Sequence, residues 1–411
     1  MNNKVMTIRV ISALVLVVIL IKVAAFGLFY TSIGNYYVTP VKPDKKVSII
    51  NENNYVNQSI AKDTPGYVWE ALPDKAPEPD GNPLTIAKVA LGKKLFFEKN
   101  LSFNASISCA SCHEISQRKG GGDGRRTSLG IYNLRGSRNA PTVLNAAFQR
   151  VLFWDGRANS LEEQAKGPIL NPLEMGMPSF DEVKRRLKKL PEYGLLFENA
   201  FRVKNAITEG NIVKAIASFE RTLITPNSPY DRFVKGDSTA LTKQQVRGMA
   251  LFESTGCVLC HSGPNFSDAS MGPSKSAFRL FPALIDISYE SKYGLTKDKG
   301  RARSEDSDTG SGVWRIPSLR NVSLTAPYFH NGSVGDLKEA IRIMATVQLN
   351  KVVKKTSNNE KRYYWSPNDK RFYVEDDISL SESDIDDIAS FLESLTSQVN
   401  NLSARIDSYE R

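Results

Sequence analysis

The residues best placed to do chemistry are few. The chain has four Cys and three His. Cys109-Ala110-Ser111-Cys112-His113 and Cys257-Val258-Leu259-Cys260-His261 use every Cys and two of the His. Cys-x-x-Cys-His is the attachment pattern of c-type haem: two thiols add to the vinyl groups and the next imidazole ligates the iron. The spacing has a physical reason, because both sulfurs must reach the vinyl edges while the following imidazole turns under the ring. A zinc site of four Cys normally brings its pairs closer in sequence. A thioredoxin-like pair does not require a following His, twice over. Disulfides within each pair would leave both His idle. Two covalent haems c, ligated by His113 and His261, are therefore expected.

What two such haems do depends on the opposite axial positions. Iron held by His and Met is saturated and shifted to high potential, which suits electron transfer, whereas iron with an open side can bind peroxide. Only His330 remains as an imidazole. The Met residues include Met175, Met177, Met249, Met271 and Met344, and the residues alone do not choose among them.

The elements that must position these groups read as helices. Ser179 and Thr242 open capped helices to Leu190 and Ser254. Thr208 leads into an apolar face of Ile212, Ala215, Ile216 and Phe219. A Ser-x-x-Asp cap starts a helix over Ser333–Met344, and another starts Ser381–Leu395. Arg362–Val374 reads as a hairpin. Leu91-Gly92 and Gly248-Met249 each open a stretch ending in Phe shortly before a Cys pair, a weak repeat that predicts two similar lobes. The expected fold is mainly α: two cytochrome c-like haem domains with long loops, behind an N-terminal hydrophobic helix and a linker. The boundaries are 1–30 for a signal anchor or signal peptide, 31–79 for the linker, and 80–235 and 236–411 for the two haem domains. The C-terminal helix is a candidate to pack back on the first domain.

Length and composition agree. The chain has 411 residues, 41% hydrophobic and 24% charged, which excludes a disordered chain, a disulfide miniprotein and a polytopic membrane protein. Val10–Tyr30 is long enough to cross a bilayer, or to serve as a cleaved export signal ending near Val23-Ala24-Ala25. Either way the remainder is exported, as haem attachment demands. The expected location is the periplasm, with an inner-membrane tether if the helix stays. The net charge of +10 does not point to nucleic acid in that compartment. The basic run Lys184–Lys189 reads as a solvated helix face, or as a guide for an acidic donor.

The Cys pairs do not stand alone. Arg138–Asn145, Phe153-Trp154-Asp155-Gly156-Arg157, Glu163–Pro168, Glu174-Met175 and Leu319–Gly332 accompany them. In combination, over Pro83 to Thr396, they resemble the bacterial dihaem cytochrome c peroxidase family, whose superfamily includes the enzyme that matures the tryptophan cofactor of methylamine dehydrogenase. The resemblance implies that the His113 haem is peroxidatic and that the His261 haem receives electrons. It implies Met344 as the distal ligand of the second iron, at a place where the maturation enzyme has Tyr. It gives Trp154 as the aromatic between the haems, Gln164 and Glu174 as distal-pocket residues, and Asn139, Thr325 and Pro327 as calcium-binding positions. Without the resemblance, Trp154 reads as a core aromatic, Glu174 as a surface carboxylate and His330 as a structural His or a propionate partner. One departure stands out. Many members carry a ligating His where this chain has Ile131, so the His113 iron is expected to be open without reductive activation, with Tyr132 as a minor substitute.

The implied activity is reduction of hydrogen peroxide to water. Glu174, tuned upward by burial, would move the proton between the two oxygens, and Gln164 would orient them. The donor would be a small c-type cytochrome, a cupredoxin or the quinol pool, and the family commonly forms homodimers. The alternatives are a non-catalytic electron-transfer protein and an oxidase of a protein or organic substrate.

Overall fold

Two glycines set the architecture. A Cβ at Gly92 would collide with the Ala215 carbonyl, and a Cβ at Gly248 with the Asp387 carbonyl. Each glycine lets one helix sink onto another. In the computed structural model, Gly92 lies on α1 (Ile86–Phe96) and Ala215 on α5 (Glu209–Glu220). Gly248 lies on α7 (Lys243–Ser254) and Asp387 on α11 (Glu382–Ser394). The next neighbour at each crossing is a Phe Cβ, from Phe219 and Phe391 respectively. The described residues are 67–115, 119–271, 276–305, 310–354, 363–366, 371–374 and 380–397. All belong to one unit, Thr64–Arg411.

The remaining helices fill in around these two pairs. They are α2 (Leu161–Leu170), α3 (Phe180–Lys188), α4 (Pro191–Phe201), α6 (Pro229–Val234), α8 (Ile287–Tyr293), α9 (Arg301–Glu305) and α10 (Leu337–Ile343). The strands are short: β1 (Phe278–Leu280) pairs antiparallel with β2 (Val313–Arg315), and β3 (Val353–Lys354) parallel with β6 (Leu380–Ser381). The expected hairpin is present as β4 (Tyr363–Ser366) and β5 (Arg371–Val374), paired antiparallel.

The repeat goes further than the helix pairs. Asn145 and Asn321 both take the left-handed conformation, with φ of 61° and 59°. Asn145 donates its amide to Leu223 O at 2.8 Å, and Asn321 to Leu395 O at 3.3 Å. Asn145 Oδ1 accepts from Thr225 N at 2.8 Å, and Asn321 Oδ1 from Ser397 N at 3.1 Å. Both side-chain amides donate to Thr225 Oγ1, at 2.8 and 2.9 Å. The two lobes thus meet at one buried hydroxyl. Phe153 and Phe329 repeat the same positive φ (65° and 67°). The bridges Leu152–Ala158 and Tyr328–Val334 close the same loop in each lobe.

Three expectations need correction. Residues 67–79 are not a free linker. Trp69 is fully buried and its ring lies 5.7 Å from Phe391. Trp69 Nε1 donates to Glu253 Oε2 at 2.9 Å, and Leu72 N to Asp231 Oδ1 at 2.8 Å. A docked strap needs no helical period, so its composition hid it. The second lobe also begins before residue 236, since Tyr230 and Phe233 of α6 pack in its core. The C-terminal helix α11 packs on α7 and α10 of its own lobe, not back on the first domain. In addition, α10 starts later than Ser333, because Asp336 supplies the cap by accepting from Glu339 N at 2.8 Å. The hydrophobic segment Val10–Tyr30 lies outside the described residues.

Candidate active site

Each Cys-x-x-Cys-His opens with a tight turn, Cys109–Ser111 and Cys257–Leu259. His113 N and His261 N close back on the carbonyls of Cys109 and Cys257, both at 2.9 Å. That return brings each imidazole beside its thiols. His113 Nδ1 lies 3.3 Å from Gly121 O, and His261 Nδ1 lies 3.2 Å from Phe266 O. A carbonyl partner on Nδ1 keeps the proton there and leaves Nε2 for a metal. Burial holds both imidazoles below their ordinary value, against the pull of those carbonyls. No Cys among the described residues is in a disulfide, and no three described His, Cys, Asp or Glu gather as a bare metal site.

Both motifs open into one cavity of about 670 Å³. Of the candidate site residues, Trp154, Gln164, Glu174 and Met344 line it, as do Asn139, Thr325 and Pro327; Cys112, His113, Cys257, Cys260 and His261 line it as well. Cys109 packs against the buried cluster that contains Phe96 and Phe219. Met175, Met177 and Met249 are core residues and Met271 is half-exposed; of these and Met344, only Met344 faces the cavity. It begins the π-helical turn Met344–Gln348 that continues α10. Such turns re-aim a side chain and recur at functional sites.

The first lobe answers Met344 differently. Ser160 caps α2 as Asp336 caps α10. Counted from Leu161 and Leu337, the place of Met344 is taken by Pro168, which also lines the cavity. A proline side chain offers no electron pair to a metal. Beyond it the chain turns, and Glu174 Oε1 accepts from Asn171 Nδ2 at 2.9 Å. Burial raises the Glu174 carboxyl, outweighing Arg157 and Asn171, which act the other way.

Ile131 is 5% exposed and is absent from the cavity wall. Its amide donates to Glu174 O at 2.8 Å. Its side chain packs where a Cβ on Gly176 (φ 66°) would stand, and Gly130 lies so close that its own Cβ would strike Leu173 O. Tyr132 is 64% exposed and does not reach the cavity.

The cavity walls fit anionic, ring-shaped groups. Arg315 is 4% exposed and lines the cavity; its Nε donates to Phe153 O at 2.7 Å and its Nη1 meets Gln149 Oε1. Neither partner is a carboxylate. Burial lowers this guanidinium to about 10, even though Asp155 pulls the other way. Trp314 and His330 stack with centroids 3.9 Å apart, and Trp314 Nε1 and His330 Nε2 are buried without hydrogen-bond partners among the described residues. A buried cation and two orphaned donor positions on one wall suit the carboxylates of a haem. Trp314, Arg315 and Pro168 escaped the sequence reading. The signal was there: Pro317-Ser318 and Asn321 repeat the pattern of Pro141-Thr142 and Asn145.

Two haem-attachment turns that share one cavity define a dihaem c-type protein. The comparisons agree. The family model for di-haem cytochrome c peroxidase matches residues 86–239. The cytochrome c551 peroxidase of Pseudomonas aeruginosa is 40% identical over 286 residues, covering 69% of this chain and 79% of that protein. The methylamine utilization protein MauG of Methylorubrum extorquens is 39% identical over 270 residues, 66% of this chain and 71% of that protein. The crystal structure of a MauG-like protein associated with microbial copper homeostasis superposes with a TM-score of 0.64 at 27% identity. That match covers 83% of this chain and 96% of that one. The chain belongs to the di-haem cytochrome c peroxidase family. It is a peroxidase oxidoreductase, and two c-type haems follow from the family.

Proposed function

We propose that the protein reduces hydrogen peroxide to water at the His113 side, with single electrons entering at the His261 side from an external donor. The observation that carries this is the exchange of Met344 for Pro168 between the lobes, with Glu174 and Gln164 beside the proline. When bound, the haems supply one-electron storage and, where a coordination position is open, a metal site that activates peroxide. Gln164 offers both a donor and an acceptor to orient peroxide. Glu174 takes a proton from one peroxide oxygen and returns it to the other as water leaves. Burial moves its value upward, in the direction that both roles need. Ile131, docked under Gly176, keeps its loop against Glu174 and offers no ligand, which supports activity without reductive activation. Trp154 joins the lobes: its Nε1 donates to Asn139 O at 2.8 Å, and Asn139 N donates to His330 O at 2.8 Å.

A periplasmic location, a small cytochrome, cupredoxin or quinol donor, and calcium at Asn139, Thr325 and Pro327 belong to the same reading. Asn139 supports the calcium position, because its Nδ2 is committed to Arg125 O at 2.9 Å, which leaves its Oδ1 for a cation. Near-equal identity to MauG favours a second reading, oxidation of a protein or organic substrate. Met344 weighs against it, since the resemblance puts Tyr there in the maturation enzyme.

The test is peroxide turnover with a reduced artificial donor. Glu174→Gln should lower kcat about 10²–10⁴-fold. Wild-type turnover should rise as the pH climbs through the elevated Glu174 value, and the variant should lose that limb. Equal rates at every pH would remove Glu174 from the mechanism.

A further inference from the structure

The first lobe buries a second carboxyl that the mechanism above leaves idle. Glu220 ends α5, is 6% exposed and lines the cavity. Its Oε2 has no hydrogen-bond partner among the described residues. The repeat makes the oddity plain. Phe219 meets Gly92 as Phe391 meets Gly248, so Glu220 answers Leu392 of the second lobe. Leu392 also lines the cavity. One lobe therefore puts an acid where the other puts an alkyl side chain.

No cation among the described residues bonds its Oε2. Arg221, the next residue, is committed to Glu162 of α2 through two bonds of 2.9 and 3.0 Å. Lys166 of α2 pairs with Glu209 at 2.6 Å. Lys88 of α1 gives its ammonium to Asn82 Oδ1 and Pro83 O. Ser218 and Thr222 turn their hydroxyls back onto the α5 carbonyls of Lys214 and Phe219. Glu174 shares the cavity but is held by Asn171. On the haem-attachment turn, burial pushes the Cys109 thiol up to about 12, and the Glu220 charge is its next largest influence. Burial likewise pushes the Glu220 carboxyl up to about 8, with Arg221 pulling it down and Glu162 pushing it up.

We propose that Glu220 is a redox-linked proton site of the first haem: it takes a proton from solvent as that haem takes an electron from the external donor, and it releases the proton on reoxidation. The proposal rests on the dihaem reading. The balance is simple: one carboxylate and one proton become one carboxylic acid, the electron stays on the haem, and no other bond changes. The physical cause is like-charge repulsion in a dry site. An electron added to the first haem raises the cost of a neighbouring carboxylate. The second lobe, with Leu392 at the matching place, would lack this coupling.

The test is an optical redox titration of the intact dihaem protein from pH 5 to about 10. In the wild type, the reduction equilibrium constant of the His113 haem should fall about tenfold as the pH rises through the Glu220 range, matching a one-unit difference between its oxidised and reduced values. Glu220→Gln and Glu220→Leu should each remove that fall and leave the His261 haem unchanged. Leu is the side chain the second lobe already uses at this place, so the two variants give independent readings. A fall that persists in either haem-loaded variant overturns the proposal. Haem content, read first, separates the other failure: a wild-type chain with fewer than two thioether-linked haems overturns the dihaem reading, and the proposal with it.

Discussion

The two lobes share a scaffold and differ in what they aim at the cavity. Both cross their helices at a glycine, both hold an Asn in the left-handed conformation, and both tie the haem-attachment His to a backbone carbonyl. Around that common frame the second lobe presents Met344 and Leu392, and the first presents Pro168 and Glu220 with Glu174 and Gln164 beside them. A thioether and an alkyl wall suit a saturated, proton-indifferent centre. A proline, a buried acid and a partly buried one suit a centre that must leave room for substrate and handle protons. The proposed division of labour would follow from a few substitutions on a repeated frame.

The comparison can be broken most severely at its catalytic end. Gln164→Leu should slow peroxide turnover by about 10²-fold, as expected for loss of a positioned hydrogen-bonding group, while a matching Ala340→Leu change in the second lobe should leave the chemical step unaffected. Single-turnover kinetics with peroxide read both.

The next largest effect is on stability. Arg320 and Asp231 form a fully buried pair, joined at 2.8 Å, that anchors the second lobe and the strap through Leu72. The corresponding place in the first lobe is Leu144, which is apolar and buried. Asp231→Asn should cost about 3–5 kcal/mol, measured by urea unfolding followed at the His261 haem. Burial alone would raise the Asp231 carboxyl, but Arg320 and the hydrogen bonds outweigh it and hold it low. A depressed value stabilises the fold above the unfolded carboxylate range, and that stability is lost as the pH falls through the folded value. Acid should therefore loosen the second lobe before the first.

Trp69→Ala should cost about 3–5 kcal/mol as well, if the strap is part of the core. A loss below ~1 kcal/mol would mean that the strap packs without supporting the lobe. The smallest difference is at the caps. Ser381 caps α11 and its backbone N–H donates in return to the Asp384 carboxylate, whereas Thr208 caps α5 without such a return bond. Ser381→Ala should cost nearer 2 kcal/mol and Thr208→Ala nearer 0.5 kcal/mol, within the usual range of about 0.5–2 kcal/mol.

Much of this was legible in the sequence because local rules dictated it. The caps at Ser179, Thr208, Thr242 and Ser381 start helices as their side chains require. The two Cys-x-x-Cys-His runs, read as haem-attachment turns, line one cavity. The strap around Trp69 was not legible, since an extended segment held by scattered side-chain bonds leaves no period. Glu220 was not legible either. On the sequence it sits beside Arg221 and looks paired, and only the helix register sends the two side chains to different faces.

The central claim is the asymmetry of the two metal sites. The most direct measurement is an electron paramagnetic resonance spectrum of the fully oxidised protein, taken as isolated and again after peroxide is added. One high-spin and one low-spin ferric haem are expected, with only the high-spin signal changing on addition of peroxide. Two low-spin haems, both unaltered by peroxide, would contradict the account.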